Sequence, residues 1–194
     1  MTEPPPSKII LASSSPRRRQ LLSEAGYQFE VVPPGINESA FDSARLSARR
    51  FAEKLALAKA NSVAERFADY VVIGADTVVD SNARIIGKAS DAEDARRIIT
   101  RLFSAPHKVI TALAVIRKSD GVEMVESDVT VVYPRQLTTE QIDEHISSGL
   151  WVDKAGAYAI QENGDRFIER IDGSLTNVMG LPMELLGRML EAIR

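Results

Sequence analysis

Short apolar runs that alternate with a segment of helical spacing restrict the possible folds of this 194-residue chain more than any other feature of its sequence. Lys8 to Ala12 and Tyr70 to Ala75 are apolar runs of strand length, and both predict buried strands. Between them, Ser43 to Phe67 carries apolar residues at rough helical spacing and predicts a long helix. This alternation favours an α/β fold, in which helices pack on a sheet.

The second half of the chain contains hairpin patterns. Val109 to Arg117 and Val122 to Val132 predict antiparallel strands across a turn at Ser119-Asp120-Gly121, and a second hairpin is expected around Ser81-Asn82. We therefore predict a mixed, twisted sheet with flanking helices. Other strands are predicted at Tyr27 to Val32 and Phe167 to Ile171, and other helices at 16–25, 91–103, 138–149 and 182–193.

Composition excludes several classes of function. The 24 basic and 27 acidic side chains give a net charge of −3, which disfavours a polynucleotide partner. The absence of cysteine excludes disulfides, thiolate catalysis and cysteine zinc sites, and two histidines are too few for a histidine-rich metal site.

Residues 1–7 are proline-rich and predict a flexible tail, so residues 8–194 are expected to form a single domain. The N-terminus lacks the apolar core of a signal peptide, and no apolar run approaches the roughly 20 residues of a membrane helix. These features predict a soluble, cytoplasmic protein with no membrane partner.

Ser13 to Arg19 lies between a predicted strand and a predicted helix. A helix N-terminus attracts an anion, and serine hydroxyls add hydrogen-bond donors. Each arginine can bind two phosphate oxygens at once through its guanidinium group. The alternative is a capped helix whose arginines face solvent, because serine and proline are also ordinary helix-start residues.

Asp76 follows an apolar strand within Gly74-Ala75-Asp76-Thr77. A carboxylate at the end of a strand is placed to bind Mg²⁺ or to orient a water molecule. The alternative is an aspartate that ends a strand in a turn.

Glu38, Lys54 and Lys88 are scattered charges, each of which alone is typical of a solvated surface. Together with Arg17 and Asp76 they form the set that triphosphate hydrolysis needs: carboxylates for a divalent metal and cations for the phosphates.

The segment from Asp153 to Gln161 combines small residues, which allow close backbone approach, with an amide suited to a base edge. The alternative is a tight strand and turn with Gln161 at the surface. His107 and His145 are interpreted as packed or solvated histidines rather than ligands, Tyr158 as a core residue rather than a stacking platform, and Trp151 as a partly buried anchor.

Six segments, taken in order, resemble the Maf family of nucleoside triphosphate pyrophosphatases. They are Leu11 to Arg18, Glu53 to Ala56, Gly74 to Thr77, Ser104 to Thr111, Asp153 to Gln161 and Asn177 to Pro182. The resemblance extends from about Lys8 to Arg188. Motifs of other nucleotide and hydrolase classes, such as a P-loop or a G-x-S-x-G elbow, are absent from the sequence.

The resemblance implies an elongated, two-lobed Maf/ITPase-like fold with a central cleft, often in a homodimer. It implies hydrolysis of a nucleoside triphosphate between the α- and β-phosphates with Mg²⁺ or Mn²⁺. By matching positions, Asp76 is the proton acceptor and a metal neighbour, and Glu38 is a loop acid near the metal. The positions that select the nucleotide are Arg17, Thr77 and Gln161. The positions that contact the phosphates are Ser13, Arg18, Lys54 and Lys88.

The stretch Asp-Lys-Ala-Gly-Ala-Tyr at 153–158 resembles the branch that acts on dTTP and UTP. The sequence departs from the family pattern at two places. Ala89 stands where the family usually has proline, and Trp151-Val152 precedes Asp153 where this branch more often has an acidic residue and proline. The alternatives are a pyrophosphatase for 7-methyl-GTP or other non-canonical purine triphosphates, and a nucleotide-binding regulator of septum formation.

Overall fold

The computed structural model describes residues 8–152, 154–158 and 167–193, so the predicted tail, Asp153 and Gln161 lie outside the described residues. The described strands are β1 (Ile9–Ala12), β2 (Phe29–Val31), β3 (Val71–Ser81), β4 (Arg84–Ile86), β5 (His107–Arg117), β6 (Val122–Pro134) and β7 (Ile168–Asp172). The described helices are α1 (Pro16–Glu24), α2 (Ala48–Ala64), α3 (Ala92–Leu102), α4 (Thr139–Ser148), α5 (Leu175–Met179) and α6 (Met183–Glu191).

The described strands form one seven-stranded sheet in the order β2-β1-β3-β5-β6-β7, with β4 paired to β3. β1 is parallel to both β2 and β3, and the other pairings are antiparallel. The prediction of a mixed α/β sheet is therefore confirmed. No helix in the described part of the chain has the length and apolar character to cross a bilayer.

One edge of β3 carries an interruption that we call the sheet gap, at residues 75–78. β1 pairs with β3 only as far as Ala12 opposite Gly74, and the pairing of β3 with β4 starts at Val79, opposite Ile86, the last residue of β4. Between these points no described strand lies beside β3 on this edge, while β5 pairs continuously along the other edge. The chain leaves the sheet after Ala12 and again after Ile86, so the segments that follow both residues flank the gap.

Helix α2 packs on one face of the sheet through small residues. A Cβ atom on Gly74 would lie 2.4 Å from the Ala56 carbonyl oxygen and 2.7 Å from the Ala60 nitrogen, so glycine is required for this close approach. Helices α1 and α6 cover the opposite face, where Leu22 and Leu186 are fully buried. The two faces are thus both covered, as expected for a sheet rich in apolar residues.

Two predicted boundaries are wrong. The strand predicted to end at Ala75 continues to Ser81, because β5 pairs with it along the whole extension and Val78 and Val79 are buried. The helix predicted from Ser43 begins only at Ala48, because the Ser47 hydroxyl accepts a hydrogen bond from the Arg50 N–H at 3.3 Å and caps it there.

Helix α5 was not predicted. Five residues are too few for a helical period to be visible, and the helix is set by its ends. Ser174 accepts a hydrogen bond from the Asn177 N–H at one end, and Gly180 has a φ of +103° at the other.

Candidate active site

Asp76 and Lys59 form a buried ion pair at the sheet gap. Asp76 points from β3 toward α2, and its Oδ1 lies 2.7 Å from the Lys59 Nζ. Both residues are nearly inaccessible, at 6% and 5% exposure. Charges are retained in such surroundings only when they are paired, so each of these groups holds the other in place.

Glu38 shares the same ammonium group. Its Oε1 lies 2.9 Å from the Lys59 Nζ, and 47% of its side-chain surface is accessible to solvent. Glu38 opens a one-turn 3-10 helix (Glu38–Ala40), which begins where the Asn37 side chain accepts a hydrogen bond from the Ser39 N–H. One buried lysine thus connects a buried carboxylate with one that reaches solvent.

The surroundings shift the two carboxylates in opposite directions. Burial raises the pKa of Asp76, and the charge and hydrogen bond of Lys59 only partly oppose the shift. For Glu38, burial also raises the pKa, but the hydrogen bond and charge of Lys59, with the charges of Lys88 and Arg18, outweigh it and lower the pKa overall. Asp76 is therefore more basic than an ordinary aspartate and Glu38 less basic than an ordinary glutamate, and a raised pKa suits a proton acceptor.

Arg18 is held from three sides on the opposite face of the sheet. Its Nε donates to the Gly180 carbonyl oxygen at 2.8 Å, its Nη2 to the Thr77 hydroxyl at 3.1 Å, and its Nη1 to the Ser13 hydroxyl at 3.4 Å. A guanidinium group has five N–H donors, so two remain for a ligand. Burial lowers the pKa of Arg18, and the Asp76 carboxylate opposes this shift.

Thr77 lies next to Asp76 but points to the other face, because successive side chains of a strand alternate. Its hydroxyl oxygen is 2.9 Å from that of Thr111, the residue directly opposite on β5. The sheet gap therefore has Asp76 with Lys59 on one face and Thr77 with Arg18 on the other.

Lys88 belongs to the segment that leaves the sheet after β4. This segment is fixed to the chain after α4: Lys88 pairs with Ala155 in an antiparallel bridge, and the Gly156 N–H donates to the Gly87 carbonyl at 3.0 Å. Lys88 is exposed, and its charge lowers the pKa of Glu38. The structure thus brings Lys88 to the side of the gap opposite Ser13.

The remaining predicted residues are less centrally placed. Arg17 is half-buried in the first turn of α1. Lys54 is exposed, and its Nζ lies 5.6 Å from the ring centre of Phe41 rather than beside Asp76. The structure therefore brings together Ser13, Arg18, Glu38, Asp76, Thr77 and Lys88 of the predicted set, and it leaves Lys54 outside the ion-pair cluster.

The prediction missed Lys59, although its sequence position carried a signal. Lys59 follows Leu55 by four residues and precedes Val63 by four, so it lies on the apolar stripe of α2. Lys54 is about 140° around the helix from Lys59, since each residue turns an α-helix by about 100°. A lysine on an apolar stripe needs a buried acidic partner, and Asp76 provides it.

The packed interpretation of the two histidines and of Tyr158 is confirmed. His107 Nε2 and the Tyr158 hydroxyl are 2.8 Å apart, and His107 Nδ1 is 3.2 Å from the Leu102 carbonyl. His145 Nε2 is 2.9 Å from the Ala157 carbonyl. These bonds anchor residues 154–158, which in turn hold the segment that carries Lys88.

The fold and the site together define a mixed α/β protein with an acid-and-cation cluster at a break in its sheet. In fold it is similar to the Staphylococcus aureus Ham1 protein, with a TM-score of 0.54, 14% identity, and coverage of 97% of this chain and 100% of that one.

The sequence model of the family described as Maf-like protein matches residues 8–193, and the chain belongs to this family. It is 42% identical over 193 residues to a protein of Bdellovibrio bacteriovorus named dTTP/UTP pyrophosphatase, covering 94% of this chain and 97% of the relative. A protein of Alkaliphilus oremlandii with the same name is 44% identical over 185 residues, which is 95% of each chain. The resemblance inferred from the six segments is confirmed.

Proposed function

We propose that this protein is a nucleoside triphosphate pyrophosphatase that hydrolyses dTTP and UTP to the monophosphate and pyrophosphate. The observation that carries the proposal is the buried Asp76–Lys59 pair at the sheet gap, with Arg18 on the opposite face and Lys88 at the far side. The relatives named dTTP/UTP pyrophosphatase at about 40% identity support the reaction and the pyrimidine substrates.

Asp76 acts as the proton acceptor. A water molecule attacks the α-phosphorus and loses a proton to the Asp76 carboxylate, while the bond from the α-phosphorus to the bridging oxygen breaks. The electron pair of that bond leaves with pyrophosphate. The raised pKa of Asp76 favours this role, because a carboxylate accepts a proton more readily as its pKa approaches the working pH.

The cations at the gap stabilise the leaving group. Negative charge grows on the pyrophosphate as the bond breaks, and prearranged donors lower the energy of that state. Arg18 offers two N–H groups that its three internal hydrogen bonds leave over, and Lys88 adds a charge from the other side of the gap. Ser13, at the end of β1, orients the Arg18 Nη1 and also accepts from the Ser15 N–H.

Glu38 and Asp76 are the residues that would hold Mg²⁺ or Mn²⁺. Their oxygens converge on one cationic atom, the Lys59 Nζ, at 2.9 and 2.7 Å, so the pair is already arranged around a positive charge. Magnesium is often held by one or two carboxylates together with substrate phosphates, so a larger protein cluster is not required. When bound, such an ion would polarise the phosphate oxygens.

Arg17, Thr77 and Gln161 select the base of the nucleotide. Thr77 lies at the gap, and Arg17 is in the first turn of α1 beside Arg18. Ala89, which replaces the usual proline of the family, is half-buried against the apolar cluster around Val79 and Ile86. The antiparallel bridge between Lys88 and Ala155 holds this segment in place without the proline.

The test is pyrophosphate release from dTTP, UTP, CTP, GTP, 7-methyl-GTP and ITP with Mg²⁺ or Mn²⁺, with Asp76→Asn as the control. We expect release from dTTP and UTP, and a loss of at least about a hundredfold in the folded variant. Release from a purine triphosphate alone would reject the substrate. Tight nucleotide binding without release from any substrate would reject the reaction and favour a regulator.

A further inference from the structure

A continuous set of hydrogen bonds runs from Arg18 across two strands to helix α5. The Arg18 Nη2 donates to the Thr77 hydroxyl, which lies 2.9 Å from the Thr111 hydroxyl. The Thr111 hydroxyl donates to the Asn177 carbonyl oxygen at 2.9 Å. Thr111 is fully buried, so this arrangement is shielded from competing water.

The donor and the acceptor of each hydrogen bond in this set follow from the number of protons that each hydroxyl can donate. A threonine hydroxyl has one proton to donate. Thr111 gives its proton to Asn177, so the bond between the two threonines requires Thr77 to donate to Thr111. Thr77 therefore turns its proton inward and presents a lone pair to the Arg18 Nη2. Without the Thr111 oxygen, nothing in this set would hold the Thr77 hydroxyl in that orientation.

Asn177 makes the far end of the set rigid. Its side chain is fully buried, its Nδ2 donates to the Val109 carbonyl and to the Thr130 hydroxyl, and its Oδ1 accepts from the Thr111 N–H. Gly180 caps the C-terminus of the same helix, and its carbonyl accepts from the Arg18 Nε. Two of the three hydrogen bonds that hold Arg18 thus depend on how α5 is fixed to β5.

We propose that Thr111 is a positioning residue of this enzyme, which fixes the Arg18 guanidinium through the Thr77 hydroxyl and so aims its two remaining N–H groups at the pyrophosphate part of the substrate. The inference rests on the proposed function. Thr111 is fully buried, so its effect on the reaction passes through Thr77 and Arg18.

Thr111→Val tests the proposal, because valine keeps the shape of threonine and removes the hydroxyl. We expect kcat/KM for dTTP to fall, and the Kd of pyrophosphate measured by calorimetry to rise, each by about five- to tenfold, the effect of one lost hydrogen bond. Thr111→Ser, which keeps the hydroxyl, should restore both values. The calorimetric stoichiometry reports the folded fraction, so the Kd is independent of partial unfolding.

Thr130→Val is the matched control. The Thr130 hydroxyl is also buried and also ties α5 to the sheet, by donating to the Ser174 carbonyl at 3.0 Å and accepting from the Asn177 Nδ2. It touches neither Thr77 nor Arg18, and without it Asn177 keeps its hydrogen bonds to the Val109 carbonyl and the Thr111 N–H. We expect a lower Tm with unchanged kcat/KM and pyrophosphate Kd. If Thr111→Val does not fold, Thr111→Ala and Thr130→Ala replace the pair.

A double-mutant cycle with Arg18→Lys shows whether Thr111 acts through Arg18. In the Arg18→Lys background, Thr111→Val should change kcat/KM by less than about twofold, since the orientation it controls is already lost. Additive effects, a Thr111→Val enzyme equal to wild type, or equal losses in Thr130→Val would each overturn the role of Thr111. Absence of turnover in the wild-type protein would instead reject the proposed function.

Discussion

Lys59 determines the electrostatics of the site at the scale of single residues. Its ammonium group is bonded to Asp76 and Glu38 together, and it lowers the pKa of the second while only moderating the rise in the first. Two carboxylates this close would otherwise repel each other and favour their protonated forms. The lysine therefore favours the ionised form of Glu38, while Asp76 keeps a raised pKa that suits a group exchanging a proton.

Lys59→Met should lower both stability and activity. Removal of one partner from a buried ion pair leaves an uncompensated charge, which costs about 3 kcal/mol in unfolding free energy. Lys54→Met on the same helix is the control, and as an exposed change it should stay within about 0.5 kcal/mol of wild type. Urea unfolding and pyrophosphate release measure the two effects. A greater loss of activity in Lys54→Met would show that the exposed lysine is the functional one.

The pH profile should report Asp76. A proton acceptor works only when ionised, so kcat/KM for dTTP should fall as the pH drops through the pKa of Asp76. Because burial raises that pKa, the acid limb should lie above the ordinary aspartate value of 3.8. The pKa of Glu38 shifts the other way, below its ordinary glutamate value. An acid limb at or below the ordinary aspartate value would contradict this role for Asp76.

At the scale of elements, the approach of α2 to β3 decides whether Lys59 can reach Asp76. Gly74 lies two residues before Asp76 on the same strand face, and the backbone of Ala56 and Ala60 occupies the space that a side chain would need. The apolar runs predicted both elements, but a sequence pattern carries no distance between them. For the same reason β3 was predicted too short, since its second half is stabilised by pairing with β5.

Gly74→Ala should separate these two elements. Its Cβ would lie 2.4 Å from a backbone oxygen that cannot move alone, so we expect a loss of about 2 kcal/mol in unfolding free energy and a lower kcat. Gly187→Ala in α6 meets nothing within 4 Å and should be neutral or stabilising by up to about 1 kcal/mol, as expected inside a helix. A fully active and stable Gly74→Ala protein would show that the helix position tolerates change.

At the scale of the whole molecule, the site is assembled from segments distant in sequence. The region around Ser13 was predictable because it follows the end of β1. Asp76 and Thr77 were predictable from the resemblance to the Maf family, although they lie inside β3 rather than at a strand end. The bonds of Thr111 to Asn177 and of His107 to Tyr158 were not predictable, since they span 66 and 51 residues and leave no local pattern. Such long-range contacts determine which of the candidate charges meet.

Tyr158→Phe tests one of these long-range connections. Loss of the bond between the phenol and the buried His107 should cost about 1 kcal/mol in unfolding free energy. Since residues 154–158 hold the Lys88 segment, KM for dTTP should rise as well. Tyr27→Phe, at the edge of the cluster beneath α1 and α6, is the control and should leave Tm and KM unchanged. An unchanged KM in Tyr158→Phe would show that the Lys88 segment is fixed without this bond.

The sheet gap also bears on aggregation. An unpaired strand edge is normally a template on which another chain can add a strand. Here the open stretch covers only residues 75–78 and is closed at both ends by β1 and β4, so it is too short to nucleate intermolecular pairing. The gap can therefore keep backbone groups open to a small ligand without offering other chains a continuous edge along β3.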